Sequence, residues 1–81
     1  GRLEHGIPKR HYRAYKRVQE ITGCEVWLFI YEEDTGDVLC AKLDELEAVK
    51  REYDGPKMGR GGMVFFPRDA FLVFANVKEG E

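Results

Sequence analysis

The chain has 81 residues, 43% hydrophobic and 12% aromatic, with a formal net charge of −2. That length allows one domain, with residues 1–6 frayed and a thin core that buries about 60% of the unfolded surface. That composition excludes a disordered chain. No apolar run approaches about 20 residues and no secretory signal opens the chain, so the expectation is a soluble, cytoplasmic protein with no membrane partner.

In chain order, the polar, Gly-flanked stretch Gly1 to Gly6 comes first, part of it compatible with an expression scar. A first helix is expected over Pro8 to Thr22, with Pro8 in its first turn and Gly23 just past its end. Ala14, Tyr15, Val18 and Ile21 form the apolar stripe that would pack inward, with His11 at its start. Lys9, Arg10, Arg13, Lys16 and Arg17 occupy the remaining, outward surface. The organising strand follows, from about Glu25 to Glu32. Val26, Leu28 and Ile30 point one way and Trp27, Phe29 and Tyr31 the other, so the unbroken apolar run predicts cover on both faces.

Glu33 to Asp37 reads as a hairpin connection in which Gly36 supplies a positive φ, and Glu32, Glu33, Asp34 and Asp37 read as solubilising turn residues. Val38 to Ala41 is the returning strand, with Cys40 opposite roughly Ile30. A second helix is expected over Glu45 to Tyr53, with Asp44 as N-cap, Glu47 three residues on, and Leu46, Val49 and Tyr53 facing inward. Gly55 to Gly62 is a Gly-rich loop carrying Lys57 and Arg60. Met63 to Phe66 is a third strand. Pro67-Arg68-Asp69 favours a short helix, whereas Phe71 to Phe74 favours a last strand. The fold class is α+β, a small two-layer domain of helix, β-hairpin, helix and strand with a short C-terminal helix or strand.

Cys24 and Cys40 match neither a disulfide framework nor a zinc site, and read as free, buried thiols in a reducing compartment. Adding His5 and His11 produces no metal-ligand spacing. Gly59-Arg60-Gly61-Gly62 lacks the Gly-Lys-Ser/Thr ending of a P-loop. The chain has no serine, and both cysteines read as strand positions, so no nucleophile is evident. Charge is uneven: residues 1–22 carry net +4, residues 23–54 net −7 and residues 55–81 net +1. A basic helix on an otherwise acidic chain suits an anion, although a solvated helix face explains the same charges.

Gly6-Ile7, His11-Tyr12, Tyr15, Val18-Gln19-Glu20, Thr22-Gly23, Val26-Trp27-Leu28-Phe29 and Gly59-Arg60-Gly61-Gly62-Met63-Val64 form a combination with a likeness elsewhere. The chain resembles the C-terminal half of small phage and mobile-element nucleases of the PD-(D/E)XK superfamily, Holliday-junction-resolvase-like members included. That resemblance implies a nuclease-like core whose basic helix follows the metal-binding strands, with the Trp27 strand next. The metal-binding half itself is missing: only seven residues precede Pro8, and Asp37 with Cys40-Ala41-Lys42 lacks the acidic member of the motif. Metal-activated hydrolysis needs those carboxylates. The leading expectation is therefore a non-catalytic remnant with no cofactor, binding DNA through Lys9, Arg10, Arg13, Lys16, Arg17, Lys57 and Arg60. Tyr12 and Gln19 are candidate polar remnants of the old site, with Tyr12 fitting the core equally well. The alternatives are a homodimeric interaction module without a nucleic-acid role, and part of a Mg2+-dependent nuclease completed by another chain. A homodimer is also expected on physical grounds, because little material is present to cover the Trp27 strand.

Overall fold

The structure, a computed structural model, describes residues 3–55 and 61–78. Strand β1 (Glu4–Pro8) leads into helix α1 (Lys9–Thr22), then β2 (Trp27–Tyr31), β3 (Asp37–Lys42), helix α2 (Leu43–Val49), β4 (Arg51–Tyr53), β5 (Met63–Pro67), a 3-10 turn (Arg68–Ala70) and β6 (Leu72–Asn76). The strands form two antiparallel sheets of three, ordered β1-β5-β4 and β2-β3-β6. The expected α+β class holds.

Each sheet is centred on its most buried strand. In β5, Val64 and Phe66 are fully buried and alternate with half-buried Met63 and Phe65. In β3, Leu39, Cys40 and Ala41 are all buried. Helix α2 touches β3, β5 and the 3-10 turn, and sends Leu43 and Leu46, three residues apart, into the space between them. With Tyr12 and Phe71, the side chains of Leu39, Ala41, Leu43, Leu46, Val64 and Phe66 make one core, against which Ile7, Val26, Leu28 and Ile30 pack. Gly36 adopts φ 79° where the β2–β3 chain reverses, a conformation that an L side chain resists.

Two expectations about elements change, and one pair of alternatives is realised together. Residues 4–6 are not frayed, because β1 pairs along its length with β5, Gly6 lying opposite Phe65. A Cβ on Gly6 would sit 2.7 Å from the Phe65 ring, so the close approach depends on glycine. The second helix begins at Leu43 and ends at Val49, and Arg51–Tyr53 become an edge strand on β5. Asp44 thus lies in the first turn instead of capping it, and Val49 is exposed. The segment after Pro67 makes both alternatives in succession, a 3-10 turn and then β6.

The largest correction concerns faces. Helix α1 buries Lys9 and Tyr12 and half-buries Gln19, while Ala14, Tyr15, Val18 and Ile21 face solvent, Ile21 at 71% exposure. Polar bonds at both ends set this roll. Lys9 Nζ reaches Asp54 at 2.5 Å and Glu52 at 3.2 Å, and Gln19 accepts from the Val26 amide while donating to Asp44. Strand β2 is covered on one face only: Leu28 and Ile30 pack inward, and Trp27, Phe29 and Tyr31 stay 41%, 53% and 51% exposed. Cys40 is buried as expected, flanked by Phe29 and Leu72 in the register, but Cys24 is exposed.

The two sheets are tied by a buried polar cluster. Glu32, just past β2, is 4% exposed and accepts from His5 Nε2 of β1, from Thr35 Oγ1 and from both Nε and Nη2 of Arg68. Arg68 Nη2 also donates to Asp37 at 2.9 Å. Glu32 and Asp37 are therefore not merely solubilising, whereas Glu33 and Asp34 are exposed. The Arg68 guanidinium, helped by Thr35 and His5 and opposed by burial, lowers the Glu32 carboxyl to about 2. A carboxyl depressed in the folded state stabilises the fold above its unfolded pKa and loses that contribution as it protonates. Stability should therefore fall between pH 4.5 and about 2. In urea titrations read by far-ultraviolet circular dichroism, Glu32→Gln should cost about 3 kcal/mol at neutral pH, as expected when a buried pair loses one partner. It should also flatten the acid limb.

Candidate functional site

Helix α1 and the segment from α2 to β4 enclose a cleft of about 400 Å³. Arg13, Lys16 and Arg17 reach it from α1 because positions i, i+3 and i+4 share one side of a helix. Lys50, between α2 and β4, faces them, and Tyr12 and Val64 line it from the core side. Glu20, Glu47 and Glu52 also line it.

The charges in this cleft are not equally satisfied. Lys9 is held by Asp54 and Glu52; these contacts raise its pKa, the Asp54 hydrogen bond first, against the opposing effect of burial. Lys50 bonds to Glu52 at 2.5 Å and lies 5.9 Å from the Tyr12 ring centroid. The same two lysines, Lys50 foremost, depress the Glu52 carboxyl. Lys16 has only a long approach of 3.9 Å to Asp44. Arg13 and Arg17 have no carboxylate within ion-pair distance among the described residues. Like charges one turn apart on a helix destabilise it by about 0.2–0.5 kcal/mol. An anion between them would remove that repulsion.

One polar atom adds to this imbalance. The Tyr12 hydroxyl is buried with no hydrogen-bond partner, the single such side-chain atom among the described residues. Its ring packs against Phe66 at 5.9 Å between centroids.

The sequence-based candidates therefore separate. Arg13, Lys16 and Arg17 come together, and Lys50, which the sequence did not single out, joins them. Lys9, expected on the outward basic face, is instead buried in an ion pair, since its position starts the inward face of α1. Arg10 and His11 are exposed outside the cleft lining. Gln19 is an anchor for β2 and α2, and Tyr12 is core. Lys57 and Arg60 lie outside the described residues.

A divalent metal of the kind the nuclease resemblance implies finds no fitting donor set. Among the described residues no group of three or more His, Cys, Asp and Glu side chains is placed to hold one. Asp37, the nearest imitation of a motif acid, is engaged by Arg68 and Asn76, and Lys42 pairs with Glu25. No described helix is long and apolar enough to cross a membrane.

Comparison with protein-family models, with curated proteins and with solved structures returns no match for this chain.

The orphan hydroxyl gives a direct test of the cleft wall. Replacing Tyr12 by Phe removes a desolvated polar atom while keeping the ring, so the free protein should gain about 1 kcal/mol in chemical denaturation. A loss of similar size would mean that the hydroxyl has a partner.

Proposed function

We propose that this chain is a non-catalytic DNA-binding domain whose α1 cleft seats phosphates. The observation that carries the reading is the pair Arg13 and Arg17, one turn apart, lining one cleft without carboxylate partners among the described residues. Arginine suits phosphate through its planar fork of donors. Lys16 and Lys50 add positive charge from two sides of the same cleft. The resemblance to PD-(D/E)XK nucleases supports the same reading, that of a nucleic-acid-facing surface on this chain. The free thiols Cys24 and Cys40 support a reducing, cytoplasmic setting.

Binding of this kind releases counterions, so affinity falls with salt in proportion to the phosphates contacted. Fluorescence anisotropy with a labelled duplex and a labelled four-way junction, across a series of KCl concentrations, should give a linear log–log decline. The double substitution Arg13→Ala, Arg17→Ala should reduce the magnitude of that slope by about 2, one for each lost phosphate contact. Arg10→Ala, outside the cleft, should change it less. Absence of binding at low salt overturns the proposal. With magnesium or manganese present the DNA should remain intact. Metal-dependent cleavage that survives repurification and vanishes on mutating an acidic residue of this chain would show a nuclease instead.

A second reading is a homodimeric interaction module, and the exposed Trp27, Phe29 and Tyr31 favour it. Large apolar side chains grouped on one surface mark protein contacts more often than solvated faces.

A further inference from the structure

We propose that the open edge of β2 is where a second copy of this chain docks, β2 against β2 about a two-fold axis at Phe29. The proposal rests on the homodimer reading and not on nucleic-acid binding.

Among the described residues four strands present an unpaired edge: β1 and β4 in one sheet, β2 and β6 in the other. Exposed edges are ordinarily blunted by short length, charge, proline or a bulge. Three of the four are blunted here. Strand β4 has three residues, two of them Arg51 and Glu52. Strand β1 contains Glu4, Gly6 and Pro8. Strand β6 meets β3 across a register irregularity at Val38/Leu39. Strand β2 has none of these devices: five apolar residues pair in unbroken register with β3, with no charge, proline or glycine.

This edge is also accessible. A cleft of about 970 Å³ is lined by the consecutive residues Phe29, Ile30 and Tyr31 on one side and by Gly6 and Ile7 of β1 on the other. Consecutive strand residues point to opposite faces, so a cleft touching all three runs along the edge and not over a face. On it, Trp27, Phe29 and Tyr31 expose on the order of 300 Å² of side chain, given the size of aromatic residues. A stable interface buries about 800 Å² on each partner, and the strand backbone would add to the side-chain share.

The chemistry of the rim argues against a polyanion here. Lys42 lies over the Trp27 ring and is paired with Glu25, while exposed Glu33 and Asp34 border the other end. Self-complementarity argues for a second copy. Antiparallel pairing centred on Phe29 sets Phe29 against itself, Trp27 against Tyr31 and Leu28 against Ile30, so aromatic meets aromatic and aliphatic meets aliphatic. The same register brings Glu25 and Glu33 of opposite copies together at each end. Their repulsion is screened by salt, so dimerisation should tighten as salt rises, opposite to DNA binding.

Sedimentation equilibrium over a hundredfold concentration range should show a monomer–dimer equilibrium. Phe29→Lys should hold the mass at one chain, with circular dichroism unchanged because Phe29 packs outward. In a Cys24→Ala, Cys40→Ala background, which also removes the thiol opposite position 29 within the chain, oxidised Phe29→Cys should form a covalent dimer, since residues facing across the axis lie within disulfide reach. Val18→Cys, on the exposed stripe of α1, should not. A constant monomer mass for the unmodified chain overturns both the interface and the homodimer reading. A dimer that survives Phe29→Lys and cross-links through Val18→Cys keeps the homodimer but overturns this interface.

Discussion

The buried carboxylate of Glu32 is the constraint on which the arrangement of the two sheets depends. The four bonds it accepts come from β1 through His5, from the β2–β3 turn through Thr35, and twice from the 3-10 turn through Arg68. Asp37 holds the second side of that guanidinium and itself accepts from Asn76 at the end of β6. Five separate segments thus converge on one ion pair. A buried carboxylate without such partners would cost several kcal/mol, so the sheets can neither separate nor slide without leaving it unpaired. The apolar core joins the sheets as well, but it is non-directional. The polar cluster is what specifies one mutual orientation.

The same contest between directional and non-directional forces decides how α1 lies. Its sequence offers an apolar stripe at Tyr15, Val18 and Ile21, and periodicity alone turns that stripe inward. The folded chain turns it outward, because Lys9 finds Asp54 and Glu52 at one end and Gln19 finds Val26 and Asp44 at the other. Those partners lie 7 to 45 residues away in sequence. No local pattern announces them. Tyr12, between the anchors and one turn after Lys9, then becomes the aromatic that enters the core.

Legibility followed the range of the interactions. The β2–β3 hairpin, with its apolar runs and Gly36, was readable because the turn chemistry and both strands are contiguous. Strand β5 and the turn after Pro67 were readable for the same reason. Strands β1 and β4 were not, since each exists only by pairing with β5 from a distance, and Arg51-Glu52 has no apolar alternation to betray it. At the site, Arg13, Lys16 and Arg17 were visible as a helix-spaced cluster. Lys50 was hidden because the second helix was read as continuing through Tyr53, past the point where α2 ends.

Gln19 connects these levels. The nuclease resemblance implied a polar remnant of an active site, yet its amide spends both ends on structure, accepting from Val26 and donating to Asp44. That places it among the residues fixing the rotation of α1. Rotation about a helix axis advances about 100° per residue, so a roll sufficient to bury Val18 and Ile21 would carry Arg13 and Arg17 away from the cleft. The basic cleft and the exposed apolar stripe are therefore one choice, made by polar anchors at the helix ends. The outward stripe costs hydrophobic burial; in return the cations line a cleft with Tyr12 at its wall. The outer face of β2 carries the corresponding compromise, its aromatic side chains left in solvent while Leu28 and Ile30 complete the core.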